Sequence, residues 1–386
     1  MRTVAVVGAS LAGLSAARAL RQRGYDGRLV VIGDEPHRPY DRPPLSKEFL
    51  AGTLGEADLA LERDDEELGA EWLLGARATG LDRTGRAIRL ADGREVRADG
   101  VVVATGAAAR TLPGTGGLAG VHVLRTLDDA RALREDLARG GRLVVIGGGF
   151  VGAEVAATAY ALGLDVTVVE AAAAPLAGPL GPAMGAVVAA LHTDHGVRLL
   201  CGAGVKGLSG ERRVTAVLLE DGRSVPADTV VVGVGARPCV EWLEGSGVAL
   251  DNGVKCGADG RSSVAAVVAV GDCANWYDPR TGGHRRVEHW TGALERPAVA
   301  VAALLAHGAG EPGVPRPPYF WSDQYGVRIQ FVGHAAGADE VTVEEGSTGD
   351  RSFLAVYRRA GRPVAVLAMD QPRLFTRLRK QFGTAS

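Results

Sequence analysis

The sequence lacks the cysteine patterns that bind metals or crosslink small domains. Its 386 residues contain only four cysteines, which form no C-x-x-C pair and have no histidines beside them at metal-ligand spacing. Long apolar runs are also missing, since the longest, residues 298–306, is about half of the roughly 18 residues that a membrane-spanning helix needs. These absences argue against a zinc site, iron–sulfur ligation, a disulfide framework and a transmembrane helix.

Excess charge of either sign is missing too. Lys and Arg total 43 and Asp and Glu total 45, which gives a net charge of −2 at pH 7. A balanced chain has no general attraction for nucleic acid or for an anionic membrane, so we expect neither as a partner. Residues 1–7 superficially resemble a signal peptide, but Gly8 and Ser10 interrupt the apolar run and Arg18 charges it. We predict a first strand there and a cytoplasmic protein.

Glycine, by contrast, is abundant. The 55 glycines are about twice the usual number and follow neither a Gly-X-Y period nor a Gly/Ser tract. We therefore expect them at tight backbone positions. The length of the chain predicts two or three domains.

A strand–helix–strand unit begins at the N-terminus. The apolar strand Val4–Val7 precedes the glycine-rich residues 8–13, a helical stretch to Arg23, and a second strand, Leu29–Ile32. This order of elements is the β-α-β unit of nucleotide-binding folds.

The same unit occurs a second time in the middle of the chain. Leu143–Ile146 precedes glycine-rich residues 147–152, an Ala-rich helix to Leu162, and the strand Val166–Val169. The similarity continues downstream, because residues 92–106 and 221–233 share an Asp-Gly-Arg turn, an Ala-Asp pair and a Val-Val-Val strand. Two copies of one nucleotide-binding fold are implied.

The second copy interrupts the first. Val267–Val270 with Gly271-Asp272 forms a further strand and turn after the second copy. No matching strand and turn follows it in the sequence. We therefore predict that this late strand completes the first domain, and that the second domain is an insertion.

The glycines of both loops have a chemical explanation. A strand that enters a helix through G-x-G-x-x-G points the helix N-terminus at a pyrophosphate, and its glycines allow the turn, the approach of the phosphate and the packing of helix on strand. Ser10 replaces the middle glycine of the first copy, where it could hydrogen-bond a phosphate. The second copy meets the pattern in full. The predicted loop residues are Gly8, Ser10, Leu11, Ala12 and Gly13 in the first copy, and Gly147, Gly149, Val151 and Gly152 in the second.

An acidic residue ends the second strand of each copy. Glu35 and Glu170 stand where a carboxylate accepts hydrogen bonds from an adenosine ribose. A 2′-phosphate beside Glu170 would be repelled, and the following residues 171–174 are alanines that offer no Arg. We predict NAD(H) over NADP(H) at the second site. The alternative is that each Glu merely solvates a strand end.

One segment shows a specific family resemblance. Residues 38–47, R-P-Y-D-R-P-P-L-S-K, resemble the R-P-Y-x-R-P-P-L-S-K signature of the FAD-dependent ferredoxin reductases of Rieske dioxygenase and haem monooxygenase systems, the putidaredoxin reductase-like group. The resemblance covers nearly the whole chain and includes residues 105–106, 271–272, 288–290 and 321–324 in the family's order. It implies an α/β fold with two Rossmann-like domains in a glutathione reductase-like arrangement and a small α+β C-terminal domain.

The resemblance also implies the cofactors and their ligands. The first copy would bind FAD and the second NADH, with Asp272 on the ribitol, Arg42 at the FAD phosphates and Lys47 near flavin N5. A carboxylate suits a polyol, and a guanidinium suits a phosphate. The further residues implied as cofactor ligands are Ala104, Thr105, Gly106, Gly235, Glu288 and Trp290.

Lys47, Glu154 and Trp290 are the candidate catalytic residues. By resemblance, Glu154 lies near the nicotinamide, where it could pair with Lys47, and Trp290 lies near the electron exit. Trp290 and Trp321 are both candidates to line the flavin edge. The alternative for Glu154 is an ordinary acid in the first turn of a helix, where it complements the dipole. The alternative for Trp290 is an aromatic packed at a domain junction.

Cysteine is absent from the signature. Dithiol members of the wider flavoprotein superfamily carry C-x-x-x-x-C after the first β-α-β unit, but residues 40–47 contain no Cys. Thiol–disulfide chemistry and peroxide reduction are therefore disfavoured. Cys273 is interpreted as a small packed residue.

The expected reaction is hydride transfer from NADH to FAD, followed by single-electron transfer to a 2Fe-2S ferredoxin that feeds an oxygenase. An acidic ferredoxin would need a basic landing surface, and the candidates are Arg38, Arg42, Arg285, Arg286, Arg373, Arg377, Arg379 and Lys380. The alternatives are another acceptor (rubredoxin, a nitrite reductase partner or oxygen) or a switch protein that binds FAD and NADH without turnover. The sequence leaves open whether the protein is a monomer or a homodimer.

The predicted domain boundaries follow from the insertion. The FAD-binding domain spans 1–111 and 239–315, the NAD(H)-binding domain 112–238, and the C-terminal interface domain 316–386. The Pro-rich residues 312–318 are predicted to link the last two parts, and alternating runs such as Val327–Val332 and Phe353–Tyr357 predict a small antiparallel sheet. The resemblance further implies that the final helical segment is shortened.

Overall fold

The computed structural model describes residues 1–82, 84, 86–114, 117–306 and 316–384. The chain forms two compact units, and each is made of three chain segments. The first unit comprises Met1–Asp41, Ala60–Ala108 and Arg237–Pro318, and the second comprises Arg42–Leu59, Ala109–Ala236 and Tyr319–Ser386. The predicted boundaries at 111, 238 and 315 stay a prediction, because compact units and domains need not coincide.

A five-stranded parallel sheet forms the centre of the first unit. Its central strands are buried on both faces, as expected where helices cover a parallel sheet, and this explains their continuous Val-rich runs. Its strands, in spatial order, are Val267–Ala269, Gly100–Val103, Thr3–Val7, Arg28–Ile32 and Ala70–Leu73. The helices Leu11–Gln22 and Trp290–Leu305 belong to the same unit.

The first parallel sheet contains the predicted late strand. Val267–Ala269 pairs in parallel with Val101–Val103, although more than half of the second unit lies between them in the chain. The late strand therefore completes the first nucleotide-binding sheet.

Two small sheets and two turns of 3-10 helix complete the first unit. One sheet joins Ala78–Leu81, Ala87–Leu90 and Glu95–Arg97, and the other joins Val254–Cys256, Ala274–Asp278 and Gly283–Arg286. The 3-10 turns are Glu241–Leu243 and Gly271–Cys273. Two short strands, Ala107–Ala109 and Ala236–Pro238, lie where the chain passes from one unit to the other.

The second unit contains a second five-stranded parallel sheet, as the repeat predicts. Its strands, in order, are Arg198–Cys201, Asp165–Glu170, Arg142–Ile146, Thr229–Val232 and Val121–His122. A three-stranded antiparallel sheet follows with Val205–Gly210, Val214–Leu219 and Ser224–Pro226. The helices are Glu48–Ala51, Leu127–Leu137, Phe150–Ala161, Ala177–Leu180 and Pro182–Asp194, with 3-10 turns at Pro43–Ser46 and Ala57–Leu59.

The C-terminal part of the second unit is the predicted antiparallel sheet. Its five strands, in order, are Tyr319–Gln324, Val327–Gly333, Arg362–Met369, Ser352–Arg359 and Glu340–Ser347, followed by the helix Pro372–Thr384. One face packs apolar side chains such as Phe331 and Phe353 against Leu180 and Val188 of the helical region. Of the predicted Pro-rich linker 312–318, residues 312–315 lie outside the described residues.

Part of the family signature packs with the second unit. Arg131 of the helix Leu127–Leu137 forms a bidentate ion pair with Glu56, and the Arg134 guanidinium lies 5.5 Å from the centre of the Phe49 ring. Leu50 is buried in the same apolar cluster as Leu133. These contacts group Arg42–Leu59 with the second unit, and the predicted FAD-binding domain that contains this segment stays a prediction.

Within the described part of the chain, no helix has the length and apolar character required to cross a membrane.

Candidate functional site

The first glycine loop leaves no room for larger residues. Gly8 has a φ of +123°, and a Cβ there would lie 2.0 Å from the carbonyl oxygen of Ala104. A Cβ on Gly13 would lie 1.8 Å from the carbonyl oxygen of Gly8. Both positions therefore require glycine, because backbone atoms cannot move away from such contacts.

The helix after this loop begins as an anion site would. Ser10 is the N-cap residue in an extended conformation, its side chain does not cap the helix, and the first turn holds no acidic residue. Leu11 and Ala12 follow, both buried. The first N–H groups of a helix have no partner within it and carry the positive end of its dipole, so this terminus fits a pyrophosphate.

The other predicted FAD ligands of the first unit lie at the ends of its strands. Glu35 follows the strand Arg28–Ile32, and its carboxylate accepts a hydrogen bond from the Tyr40 hydroxyl at 2.5 Å. Ala104, Thr105 and Gly106 follow the strand Gly100–Val103, with the Thr105 hydroxyl donating to the carbonyl of Cys239 at 2.6 Å. The carboxyl ends of parallel strands are where open α/β sheets bind ligands.

Asp272 and Glu288 are joined through one arginine. Arg286 donates from Nη1 to the backbone carbonyl of Asp272 at 3.1 Å and to the Glu288 carboxylate. Its side chain is only 11% exposed. The sequence proposed Arg286 as one of the basic landing residues for a ferredoxin. Its guanidinium is largely buried between two other predicted site residues, and its part in docking stays a prediction.

The second glycine loop repeats the geometry of the first. Gly147 has a φ of +102°, and a Cβ there would lie 2.3 Å from the carbonyl oxygen of Gly233. A Cβ on Gly152 would lie 2.2 Å from the carbonyl oxygen of Gly147. A Cβ on Gly149, the N-cap residue, would have no described atom within 4 Å among those considered, so open space adjoins the start of the helix. The next residues include Val151, which is 46% exposed.

Glu170 holds this loop at the end of its strand. One carboxylate oxygen accepts the N–H of Gly148 and the other accepts the N–H of Ala172, both at 2.8 Å. The first helical turn again lacks an acidic residue. Gly235, with a φ of +102°, accepts the N–H of Arg110 through its carbonyl at 2.9 Å. The loop, the bare helix terminus and the oriented acid fit a second dinucleotide.

The structure brings Lys47 and Glu154 together. The Lys47 ammonium lies 2.8 Å from Oε2 of Glu154, and the two side chains are 13% and 8% exposed. Oε2 also accepts the Ser46 hydroxyl at 2.5 Å, whereas Oε1 accepts the Ser322 hydroxyl at 2.8 Å. Glu154 is the fifth residue of its helix, beyond the first turn. It is therefore not an acid that complements the dipole from the first turn.

Trp290 lies in the first unit, at the start of the helix Trp290–Leu305. Its indole Nε1 donates to Oδ1 of Asp41 at 2.8 Å. Trp321 lies in the C-terminal sheet of the second unit, where it stacks on Tyr319 with a ring separation of 5.9 Å.

Several of the proposed basic landing residues have partners within their own unit. Arg38 pairs with Glu62 and lies 3.9 Å from the centre of the Trp72 ring. Arg42 donates to the carbonyl of Arg125, and Arg379 lies over the Tyr319 ring at 3.8 Å. The residues that remain exposed on the terminal helix are Arg373, Arg377 and Lys380.

The four cysteines are all free thiols. Burial raises the pKa of Cys273 to about 11, so this side chain is a neutral thiol near pH 7. Its packing agrees with the interpretation as a small core residue.

Sequence patterns did not reveal three hydrogen-bond partners of the site residues. These are Ser46 for Glu154, Asp41 for Trp290 and Tyr40 for Glu35. All three belong to the signature segment, and only its exact residues could have drawn attention to them. Ser322 lies in the resemblance at residues 321–324 but carried no assigned role.

Comparison with known proteins gives the family. Residues 2–296 match the family model described as pyridine nucleotide-disulphide oxidoreductase, and residues 319–385 match the one described as reductase C-terminal. The chain is 42% identical to the ferredoxin reductase component of chlorobenzene dioxygenase from Cupriavidus sp. (strain PS12), over 96% of this chain and 90% of that protein. It is 40% identical to the ferredoxin–NAD(+) reductase subunit of the benzene 1,2-dioxygenase system from Pseudomonas putida, with the same coverage.

The fold has close counterparts among solved structures. The reductase in the covalent putidaredoxin reductase–putidaredoxin complex superposes with a TM-score of 0.93 at 34% identity, over 99% of this chain and 93% of that one. With two dinucleotide-type loops and this likeness over nearly its whole length, the chain belongs to the pyridine nucleotide-disulphide oxidoreductase family and carries that family's reductase C-terminal domain.

Proposed function

We propose that the protein is an NADH-dependent ferredoxin reductase that holds FAD and passes electrons to a 2Fe-2S ferredoxin of an oxygenase system. The observation that carries the proposal is the pair of glycine loops, each at a strand end and each leading into a helix N-terminus without an acid in its first turn. Two such loops in one chain provide sites for two dinucleotides. The relatives named as ferredoxin reductases of dioxygenase systems support the choice of acceptor.

The first loop would hold the FAD pyrophosphate, with Glu35 on its adenosine ribose and Asp272 on its ribitol. The backbone around Asp272 is fixed by Arg286. Bound there, FAD supplies an acceptor for hydride that releases its electrons singly. Arg42, which donates to the Arg125 carbonyl, is proposed to face the FAD phosphates, because a guanidinium suits a phosphate.

The second loop would hold the NADH pyrophosphate, with Glu170 accepting from the adenosine ribose. Its carboxylate is already oriented by the N–H groups of Gly148 and Ala172. A 2′-phosphate would face this negative charge, so NADH is favoured over NADPH. Lys47 and Glu154 would lie where the nicotinamide meets the flavin, and their ion pair would keep an ammonium in a fixed position there.

The overall reaction oxidises one NADH to NAD⁺ and releases one proton, while two ferredoxins each gain one electron. The protein's part is to bind both dinucleotides, to orient them and to exclude water. The cytoplasm is the proposed location, and the free thiols agree with a reducing compartment.

An anaerobic titration with NADH, and separately with NADPH, tests the proposal through the visible spectrum. We expect a bound flavin that NADH bleaches stoichiometrically and NADPH bleaches much less. A flavin that NADH does not bleach would reject the reductase and favour the switch protein, whereas a folded protein without flavin would reject the FAD site.

The acceptor needs a second assay. Purified 2Fe-2S ferredoxin, rubredoxin and oxygen are compared at equal concentration with the reduced protein. Faster turnover with the 2Fe-2S ferredoxin supports the proposal, and a preference for either other acceptor rejects it.

A further inference from the structure

The carboxylate of Glu154 is held from two sides. Oε2 accepts from the two signature residues Ser46 and Lys47, at 2.5 and 2.8 Å. Oε1 accepts from the Ser322 hydroxyl at 2.8 Å and, more weakly, from the N–H of Asp323 at 3.4 Å. The second pair of donors comes from the C-terminal sheet, which the proposed reaction has not used so far.

Burial makes each of these donors count. Glu154 is 6% exposed and Ser322 is fully buried. A buried carboxylate is stable only when hydrogen-bond donors replace the water it has lost, and bonds to a charged acceptor are stronger than those between neutral groups. Removing the Ser322 hydroxyl would leave one side of the carboxylate with only the long bond from Asp323.

The Ser322 hydroxyl is itself oriented. Gln324 donates from Nε2 to the Ser322 oxygen at 3.1 Å, and Gln324 is 1% exposed. Residues two apart on a strand face the same side, so both side chains of the strand Tyr319–Gln324 point toward Glu154. Because Gln324 occupies a lone pair of the hydroxyl, the single hydroxyl proton is directed to Glu154.

The end of this strand is anchored. Tyr325 follows it with a φ of +53°, and its hydroxyl lies 2.7 Å from Nδ1 of His192. Its ring stacks on His195 with 4.4 Å between ring centres. The turn is thus fixed to the helix Pro182–Asp194, and the two donors upstream of it cannot drift away from Glu154.

We propose that Ser322 and Gln324 are positioning residues for the Lys47–Glu154 pair. They fix the orientation of the Glu154 carboxylate, and the carboxylate fixes the Lys47 ammonium. The inference rests on the proposed function, and it gives the C-terminal sheet a part in the hydride step in addition to any part in ferredoxin docking.

The first test measures the rate at which NADH bleaches the flavin of the holoprotein in a stopped-flow instrument. For Ser322→Ala we expect the limiting rate constant to fall about tenfold, as for the loss of a hydrogen bond to a charged group. The NADH concentration that gives half of that rate should change less than about twofold, because pyrophosphate and ribose contacts are untouched. Gln324→Met, which keeps the hydroxyl but loses its orienting donor, should lower the rate constant by about threefold.

Ser352→Ala is the matched control. Ser352 lies in the same sheet and accepts a hydrogen bond from Gln371 at 2.8 Å, without contact to Glu154. It should leave the rate constant unchanged. Since Gln324→Met is a separate variant, the proposal stays testable even where Ser322→Ala does not fold.

The second test observes Lys47 without turnover. The chain has only four lysines, and the other three, Lys206, Lys255 and Lys380, are exposed. Biosynthetic ¹³C-lysine labelling of the holoprotein therefore gives four sets of ε-CH₂ signals, and Lys47→Arg assigns one of them. We expect two distinct ε-proton shifts for the held Lys47, and their merging toward the exposed lysines in Ser322→Ala but not in Ser352→Ala.

The outcomes separate the two proposals. Wild-type protein that NADH does not bleach rejects the proposed function, and the lysine spectra still decide the positioning. Normal bleaching with an unchanged rate constant and unchanged Lys47 signals in both Ser322→Ala and Gln324→Met overturns the positioning alone.

Discussion

The indole of Trp290 is tied to Asp41 by a hydrogen bond of 2.8 Å within the first unit. Asp41 is the variable position of the signature, so a residue without an assigned role orients one that was assigned to electron exit. We expect Asp41→Ala to slow ferredoxin reduction severalfold while NADH still bleaches the flavin at the wild-type rate. Asp41→Asn keeps the acceptor oxygen and serves as the control. If Asp41→Ala reduces ferredoxin as fast as Asp41→Asn does, the hydrogen bond has no part in electron exit.

Glu170 should determine the choice between NADH and NADPH. Replacing it by Ala removes the negative charge and the acceptor for the ribose, so the ratio of kcat/KM for NADH over NADPH should fall about tenfold or more. Steady-state kinetics with both nucleotides measures the ratio. Glu170→Gln removes the negative charge but retains an oxygen that can accept one of the two N–H groups. It therefore distinguishes the effect of the charge on nucleotide choice from the effect of losing the hydrogen bonds that hold the loop. An unchanged ratio in Glu170→Ala would remove Glu170 from the nucleotide site.

Lys47 and Glu154 should be coupled in stability as well as in rate. Removal of one partner of a buried ion pair leaves a buried charge, so Lys47→Met should lower the free energy of unfolding by about 3 kcal/mol. Lys47→Met combined with Glu154→Gln should recover part of this loss. Urea unfolding of the single and double variants, with exposed Lys255→Met as control, measures the coupling. Additive losses would mean that the two side chains do not interact.

His192 should make the stability of the second unit depend on pH. Burial lowers the pKa of His192 to about 4, whereas an unfolded chain has a value near 6.5. Between these values the unfolded chain binds a proton that the folded chain does not, so the contribution is complete above about pH 6.5 and is lost as the pH falls toward about 4. The loss should reach about 3 kcal/mol.

Thermal unfolding between about pH 7 and pH 5 measures this dependence. His192→Asn should flatten the decline, and His284→Gln, at an exposed site, should not. Parallel curves for wild type and His192→Asn would contradict the buried neutral histidine.

The terminal helix should matter for ferredoxin binding. Arg373 and Arg377 are exposed, so reversing both to Glu should raise the KM for an acidic ferredoxin severalfold and weaken the dependence of the rate on salt. The bleaching by NADH should be unaffected. Arg94→Glu, on an exposed turn of the first unit, is the control for a change of net charge. If Arg94→Glu raises the KM as much, the terminal helix is not the landing surface.

Most of the fold could be predicted from local sequence patterns. Gly8 and Gly147 could be predicted because a backbone at positive φ beside another carbonyl tolerates only glycine, and the strand–glycine–helix order marks such places. The late strand Val267–Ala269 could be predicted as well, because an unmatched strand must pair with the domain it completes.

Local sequence patterns could not predict the hydrogen bonds that orient the site residues. Ser322 and Glu154 are 168 residues apart, and a serine in a strand has no periodicity that points to a partner. Tyr40 and Asp41 belong to the signature segment, but the side chains that they contact depend on how this segment folds. A sequence motif therefore shows where in the chain a site lies, whereas its hydrogen-bond partners can be identified only in the folded structure.

The insertion also sets the order in which a newly made chain can fold. The first sheet lacks the strand Val267–Ala269 until the ribosome has made that segment, whereas the strands of the inserted parallel sheet, from Val121–His122 to Thr229–Val232, are complete earlier. At ordinary translation rates the strand Gly100–Val103 waits on the order of ten seconds with one edge unpaired. The first parallel sheet, although begun first, is therefore expected to be completed after the second.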